Sequence, residues 1–177
     1  MSTDLAIFGG EPIRKEPFPA WPRITEEMKR SLIHTFEEEE WGVGSKTITL
    51  FNEQFATMQD AKYCLSIHSG TSAIWICLKA AGIEAGDEVI LPSYTFIATA
   101  TAVVLANAVP VFADIDKKTA NLDPTSVEKL ITKKTKAIIP VHTAGAPADM
   151  KAFLDISKKY NIPIIEDAAQ GHGSMID

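Results

Sequence analysis

Positive charge and cysteine are both scarce in this sequence of 177 residues. Lysine and arginine number 17 against 23 aspartates and glutamates, which leaves a net charge of −6. Such a chain has no basic excess for a nucleic acid or a membrane surface, so neither is expected as a partner. Cys64 and Cys77 lie in apolar segments without metal-ligand spacing and are expected to be buried free thiols. The histidines show no metal spacing either, so no metal site is predicted.

Signals for export, membrane insertion and nucleotide binding are missing as well. The first residues carry no basic segment followed by an apolar one, so a cytoplasmic protein is expected. An uncharged run, residues 91–113, contains Pro92 and Pro110 and divides into helix-like and strand-like pieces, which argues against a transmembrane helix. No Gly-x-Gly-x-x-Gly occurs, and residues 42–47 lack the adjacent glycine and lysine of a P-loop. Neither kind of nucleotide site is therefore predicted.

The chain begins with a proline-rich stretch. Residues 1–24 carry several prolines around Phe18 and Trp21, a composition that favours an arm lying across another surface. Thr25 is predicted to cap a helix whose apolar stripe includes Leu32 and Phe36. A second helix is expected near residues 51–58. We therefore predict an arm over residues 1–24 and a main domain over residues 25–177.

From residue 61 onward, short apolar segments alternate with helical patterns. The predicted strands are residues 63–67, 88–91, 109–113, 137–141 and 162–165, all short, rich in Ile and Val and bounded by Gly, Pro or Asp. The predicted helices are residues 72–81, 97–106, 124–131 and 150–160. Alternation of this kind indicates an α/β fold, a mostly parallel sheet with helices on both faces. Ligands of such sheets bind beyond the carboxyl ends of the strands.

Three predicted strand ends carry residues suited to a ligand. Gly70-Thr71-Ser72 opens a helix, where free N–H groups and the helix dipole suit a phosphate, although Ser and Thr are also ordinary helix caps. Residues 91–96 include aromatic side chains that either stack on a flat heteroaromatic ring or pack on a neighbouring helix. Residues 164–170 place Glu166 and Asp167 on opposite faces, so the two carboxylates cannot both face one ligand. An Asp at a strand end is also an ordinary turn or cap residue.

Taken together, the three strand ends match the needs of pyridoxal phosphate (PLP). A carboxylate beside a pyridine nitrogen keeps that nitrogen protonated and makes the ring an electron sink. Gln170, three residues after Asp167, is near enough to reach the same ligand. His172 either contacts substrate or has a structural or solvent role. A phosphate cradle, a stacking aromatic and a ring-nitrogen carboxylate thus occur in one chain, which predicts a PLP site.

The sequence resembles the DegT/DnrJ/EryC1/StrS family of PLP-dependent sugar aminotransferases over nearly its whole length. The matching segments are Gly9-Gly10-Glu11-Pro12-Ile13-Arg14, Gly70-Thr71-Ser72-Ala73, Gly86-Asp87-Glu88-Val89-Ile90, Pro92-Ser93-Tyr94-Thr95-Phe96-Ile97-Ala98-Thr99, Asp114-Ile115-Asp116, Leu122-Asp123-Pro124, Thr135-Lys136-Ala137-Ile138, Pro140-Val141-His142 and Glu166-Asp167-Ala168-Ala169-Gln170-Gly171-His172-Gly173. The resemblance implies PLP fold type I, with residues 25–177 as the first part of an aspartate-aminotransferase-like large domain.

The resemblance also implies a role for each site residue. Gly70, Thr71 and Ser72 would hold the cofactor phosphate, and Phe96 would stack on the ring. Asp167 would pair with the ring nitrogen, and Gln170 would contact the hydroxyl side of the ring. The Schiff-base lysine of the family would lie beyond Asp177, since no lysine in the chain matches its position, and the large domain would be incomplete at its C-terminus.

Family membership implies an enzyme that transfers an amino group from glutamate or glutamine to a nucleotide-linked keto-sugar, in polysaccharide or antibiotic sugar biosynthesis. It further implies a homodimer with active sites between subunits. Val43-Gly44-Ser45 stands where the family often has Thr-Gly-Pro, a departure in one loop. Two alternatives stay open: a catalytically inactive fragment that binds a ligand or partner, and a related PLP enzyme such as a sugar dehydratase or an aminobenzoate synthase.

Overall fold

A computed structural model describes residues 5–39 and 41–176 of the chain. It divides into two compact units, Met1–Ser66 and Ile67–Asp177. The predicted separation of an arm at residue 24 does not coincide with the boundary between these units and stays a prediction. Every residue predicted for the PLP site belongs to the second unit.

The first unit contains two helices with side-chain caps. Helix α1, Glu26–Glu37, begins where predicted, because the Thr25 hydroxyl accepts a hydrogen bond from the backbone N–H of Met28 at 3.1 Å. Helix α2, Lys46–Met58, starts earlier than predicted because Ser45 caps it in the same way. No residue of α1 is buried within the described chain.

The second unit is a parallel sheet with helices between its strands. The strands are β1, Glu88–Pro92, β2, Val109–Ala113, and β3, Thr135–Ile138, in the order β2-β1-β3 with both pairings parallel. The helices are α3, Gly70–Ala80, α4, Ile97–Leu105, α5, Pro124–Leu130, and α6, Met150–Tyr160. The predicted α/β class and the four helices are confirmed.

The predicted strand at residues 162–165 continues the sheet beyond β3 without forming a regular ladder. Parallel bridges join Ile138 to Ile164 and Val141 to Asp167. The Ile165 N–H donates to the Ile138 carbonyl at 3.0 Å. The pairing therefore runs as far as Asp167, two residues past the predicted end.

Strand residues alternate between two hydrophobic cores, one on each face of the sheet. Val89 and Leu91 pack with α3 and α4, whereas Ile90 packs with α5 and α6 on the other side. Phe153 of α6 is fully buried in the second core. Both faces of the sheet are thus covered, which explains why its strands are continuously apolar instead of alternating with polar residues.

Two expectations from the sequence are wrong. Residues 63–67 form no strand, and the backbone N–H of Ser66 instead donates to the Asn52 side-chain oxygen at 3.0 Å. Their apolar pattern fits a strand, but a strand requires a neighbour, and among the described residues none pairs with this segment. The cysteines are not buried either: Cys64 is half-buried and Cys77 is exposed.

The connections make the carboxyl ends of β1 and β3 a switch point between the two faces of the sheet. The chain leaves β1 through α4 on one face and leaves β3 through α6 on the other. Where neighbouring parallel strands send their connections to opposite faces, the carboxyl edge opens, and ligands of α/β proteins bind there. Among the helices of residues 5–39 and 41–176, none combines the length and apolar character needed to cross a bilayer.

Candidate cofactor site

Asp167 lies at the carboxyl edge of the sheet and is held by both its backbone and its side chain. Its N–H donates to the Pro140 carbonyl at 2.9 Å, and its carbonyl accepts from the His142 N–H at 3.2 Å. Oδ2 of its carboxylate accepts from the Thr99 hydroxyl at 2.8 Å, and Oδ1 accepts from the Ala169 N–H at 3.3 Å. A half-buried carboxylate is therefore fixed in orientation while each oxygen keeps a lone pair for a further donor.

Glu166 points elsewhere, as the strand geometry predicted. Its Oε2 lies 3.0 Å from Nε2 of His142. The other ring nitrogen of His142, Nδ1, accepts from the backbone N–H of Ala148 at 3.1 Å. That bond assigns the hydrogen of a neutral ring to Nε2, so His142 donates to Glu166. Of the two adjacent carboxylates, Asp167 is directed to α4 and Glu166 to His142.

Gln170 joins Asp167 at this edge through the loop that follows His142. Its Oε1 accepts from the backbone N–H of Ala144 at 2.7 Å. Ala144 has a positive φ of 54°, a conformation that the loop maintains with help from Asn121. The buried Asn121 side chain accepts from the Thr143 N–H and donates to the carbonyls of the next turn. The Gln170 side-chain oxygen thus already accepts a hydrogen bond, and its amide nitrogen is the group that can donate to a ligand.

Phe96 is the residue immediately before α4, with an extended backbone, and is exposed over 72% of its surface. It precedes Thr99 by one helical turn, and Thr99 is the residue that binds Asp167. The Thr99 N–H donates to the Phe96 carbonyl at 3.1 Å, so Phe96 and the residue that binds Asp167 lie together at the carboxyl edge. Tyr94, the other aromatic residue of this segment, is also exposed.

Gly70, Thr71 and Ser72 form the first turn of α3. Ser69 caps the helix, since its hydroxyl accepts from the Ser72 N–H at 3.3 Å. The Ser72 hydroxyl also lies 2.8 Å from Nε2 of His68. A Cβ built on Gly70 would meet no atom within 4 Å, so the backbone is open to a ligand there. N–H groups, hydroxyls and open space are the features that a bound phosphate requires.

The structure brings the predicted residues together to different degrees. Asp167 and α4 are joined directly by the Thr99 hydrogen bond. The first turn of α3 has no hydrogen bond to Asp167 or Gln170 among those of the described residues. However, α3 shares a core with α4 and is followed by β1, so both helices begin at the carboxyl edge. His172 lies just past Gln170 and is exposed.

Sequence reasoning assigned no role to Thr99, His142 or Asn121, although each holds part of this site. All three are buried polar residues with side-chain partners more than twenty positions away or across a loop. Their polarity within otherwise apolar segments could have identified them. A polar side chain that is buried requires a hydrogen-bond partner, which indicates a structural contact. In the described residues, no three His, Cys, Asp or Glu side chains come together as metal ligands.

Known proteins resemble this chain in both sequence and fold. L-glutamine:2-deoxy-scyllo-inosose aminotransferase of Streptomyces kanamyceticus is 40% identical over 182 residues, covering 99% of this chain and 43% of that protein. The crystal structure of 3-amino-5-hydroxybenzoic acid synthase superposes with a TM-score of 0.86 at 38% identity, covering 89% of this chain and 41% of that one. NtdA from Bacillus subtilis, solved with bound pyridoxamine phosphate, gives a TM-score of 0.81 at 32% identity, covering 98% and 41%.

The chain thus spans about two fifths of the length of these relatives. The neighbours fold as PLP type I enzymes, and the family together with the cofactor bound to NtdA indicates pyridoxal phosphate. The sequence model of the DegT/DnrJ/EryC1/StrS aminotransferase family matches residues 22–177. The protein therefore belongs to the DegT/DnrJ/EryC1/StrS aminotransferase family.

Proposed function

We propose that residues 67–177 hold the ring and phosphate of PLP at the carboxyl edge of the sheet. The observation that carries this proposal is the Asp167 carboxylate, fixed by Thr99 at 2.8 Å beside the first turn of α4. The residues present fit the cofactor. An oriented carboxylate, an exposed aromatic ring and an open helix N-terminus with hydroxyls are all available in one compact unit.

Each side chain then has a distinct task. The N–H groups of Gly70 and Thr71 and the hydroxyls of Thr71 and Ser72 bind the phosphate. Phe96 covers one face of the ring, and the Gln170 amide donates to the ring hydroxyl. Asp167 holds a proton on the ring nitrogen. When bound, PLP supplies an electron sink for the carbon that gains or loses the amino group.

The whole protein is proposed to transfer an amino group from L-glutamine or glutamate to a keto-sugar or a keto-cyclitol. The support is the similarity to the glutamine-dependent scyllo-inosose aminotransferase. More specifically, the family resemblance supports a nucleotide-linked keto-sugar as the amino acceptor. The Schiff-base lysine is proposed to come from the whole protein outside residues 1–177. Assembly as a homodimer and a cytoplasmic location stay predictions from the sequence.

Amino transfer by the whole protein, loaded with PLP, tests this function. Either amino donor would be offered with 2-deoxy-scyllo-inosose or with a nucleotide-linked keto-sugar, and the aminated product would be measured by mass spectrometry. If the cyclitol is aminated and the nucleotide-linked keto-sugar is not, the proposal of a nucleotide-linked substrate is wrong. Absence of product from every pair, in a protein that binds PLP, would favour the inactive alternative.

Asp167→Ala tests the cofactor site itself. Loss of the charge-assisted bond to the ring nitrogen is expected to weaken pyridoxamine phosphate binding about 10- to 150-fold, from the ~1.5–3 kcal/mol of a hydrogen bond to a charged group. Asp155→Ala is the matched control, because Asp155 is an exposed acid on α6, which contributes no residue to the proposed site. If both variants bind pyridoxamine phosphate equally well, Asp167 is not part of the cofactor site.

A second candidate function follows from one comparison. The superposition on 3-amino-5-hydroxybenzoic acid synthase, at a TM-score of 0.86, favours an enzyme that forms an aminobenzoate. The two functions differ in the product, since an aromatic product absorbs in the near ultraviolet and an amino-sugar does not. The absorption spectrum of the product therefore decides between them.

A further inference from the structure

Thr99 differs from other helical threonines of this chain in what its hydroxyl binds. Thr35, Thr49, Thr57 and Thr101 each donate to the backbone carbonyl four residues earlier, at 2.9–3.1 Å. That local bond is the usual arrangement for a threonine inside a helix. Thr99 instead donates to Asp167 Oδ2 at 2.8 Å, a residue 68 positions later. Its hydroxyl therefore leaves the helix to bind a charged group at the site.

The direction of this bond follows from the chemistry of its members. A carboxylate only accepts, so the single proton of the Thr99 hydroxyl is committed to Asp167. Thr99 Oγ1 also lies 2.8 Å from Thr95 Oγ1, and since its own proton is used, it accepts from Thr95 there. Two hydroxyls in series thus point toward Asp167, and each bond in such a chain strengthens the next.

Burial makes this arrangement rigid. Thr99 has no exposed surface, and Thr95 is half-buried. A buried hydroxyl without its partner would incur a desolvation cost, so the rotamer that reaches Asp167 is strongly preferred. The Ala169 N–H fixes the second carboxylate oxygen. The plane of the carboxylate is thereby set from two sides, one by α4 and one by its own turn.

We propose that Thr99, supported by Thr95, is a positioning residue that aims the Asp167 carboxylate at the ring nitrogen of the cofactor. This inference rests on the proposed PLP site. It adds to that site the residue that orients Asp167, the charge partner of the ring nitrogen. A donated hydrogen bond stabilises the carboxylate charge as well as its orientation. Thr99 touches neither cofactor nor substrate in this role and acts through Asp167.

The test compares pyridoxamine phosphate with its 1-deaza analogue, in which a C–H group replaces the ring nitrogen. Both ligands bind without a covalent bond, so dissociation constants of the whole protein can be measured by equilibrium dialysis. In Thr99→Val, which keeps the volume but loses the hydroxyl, binding of pyridoxamine phosphate is expected to weaken about 10-fold or more. Binding of the deaza analogue is expected to change less than about threefold, since it has no nitrogen for Asp167 to meet.

Three further variants complete the test. Thr99→Ser restores the hydroxyl and is expected to return binding to within about threefold of the unmodified protein. Thr101→Val is the matched control, because Thr101 is an exposed threonine of the same helix with an ordinary backbone bond. It is expected to leave both dissociation constants unchanged. Thr95→Val removes the second hydroxyl and is expected to give a smaller loss, confined to pyridoxamine phosphate.

The outcomes separate this inference from the proposed function. If Thr99→Val weakens the binding of both ligands equally, Thr99 has a packing role and the inference is overturned. Unchanged binding in Thr99→Val, with a loss in Asp167→Asn, would also overturn it while the cofactor site stands. Unchanged binding in Asp167→Asn would reject the site itself. If Thr99→Val fails to fold, the same two-ligand comparison on Thr95→Val decides, because an equal or absent effect there contradicts the chain of hydroxyls.

Discussion

Replacement of His142 separates two hydrogen bonds, because each ring nitrogen has a different partner. Nδ1 accepts from the Ala148 N–H at 3.1 Å, and Nε2 meets Glu166 Oε2 at 3.0 Å. Ala148 has no exposed surface, whereas the Glu166 side chain is 50% exposed. In His142→Leu the Ala148 N–H loses its acceptor inside the protein, at a cost of about 1–3 kcal/mol. The lost bond to the exposed Glu166 adds ~1 kcal/mol or less.

His142→Asn distinguishes the two contributions. The side-chain oxygen of asparagine is as many bonds from Cα as Nδ1 of histidine, so it can accept from the Ala148 N–H. The asparagine is too short to reach Glu166. We therefore expect His142→Asn to recover most of the stability that His142→Leu loses, because the buried donor is again paired.

Hydrogen–deuterium exchange of the whole protein, followed by peptide mass spectrometry, measures how strongly the Ala148 amide is protected in each variant. The Ala148 amide of His142→Leu is expected to exchange about 5- to 150-fold faster than in the unmodified protein, while His142→Asn stays within about fivefold. The peptide from α5 serves as the internal control and should not change. Equal acceleration in both variants would show that the acceptor at Nδ1 is not what protects this loop.

The remaining predictions concern the core, one ion pair and the stacking residue. Phe153→Ala is expected to lower the free energy of unfolding by about 3–5 kcal/mol in urea denaturation, while Phe112→Ala, at an exposed position, costs much less. The bond from Lys159 at 2.6 Å holds the pKa of Glu128 below its ordinary value of 4.5, so its stabilisation is present above that pH and is lost as the pH falls. The Glu128→Gln variant should accordingly lose stability at neutral pH relative to the unmodified protein and match it in acid. Phe96→Ala should weaken pyridoxamine phosphate binding about 2- to 12-fold by equilibrium dialysis, and an unchanged constant would remove Phe96 from the ring.

The helices were predictable because their signals are local. Asp123 followed by Pro124 predicted the first residue of α5, and the structure shows the Asp123 side chain accepting from the Thr125 N–H at 2.9 Å. Helix α6 begins and ends where its apolar period predicted. A cap and a helical period depend on residues within a few positions of each other, so they are readable without the rest of the fold.

The errors and omissions arise where the structure depends on distant partners. Residues 63–67 have a strand composition, but pairing decides whether a strand forms, and composition does not reveal the neighbour. Asp167 was placed correctly at a strand end, yet its link to Thr99 crosses 68 positions and leaves no local pattern. The same holds for His142, whose bond to Glu166 forms only when residues 162–167 lie beside β3.

The hydrogen bond between Thr99 and Asp167 also sets an order of events during synthesis. The two residues are 68 positions apart, so at roughly 5–20 residues per second Asp167 leaves the ribosome about 3–14 s after Thr99. Helix–coil exchange takes about a microsecond, so α4 forms and melts many times before this partner exists. During that interval the Thr99 hydroxyl binds water, Thr95 or its own backbone carbonyls, but not Asp167. The charge-holding edge of the site therefore assembles only after most of this unit has been synthesised.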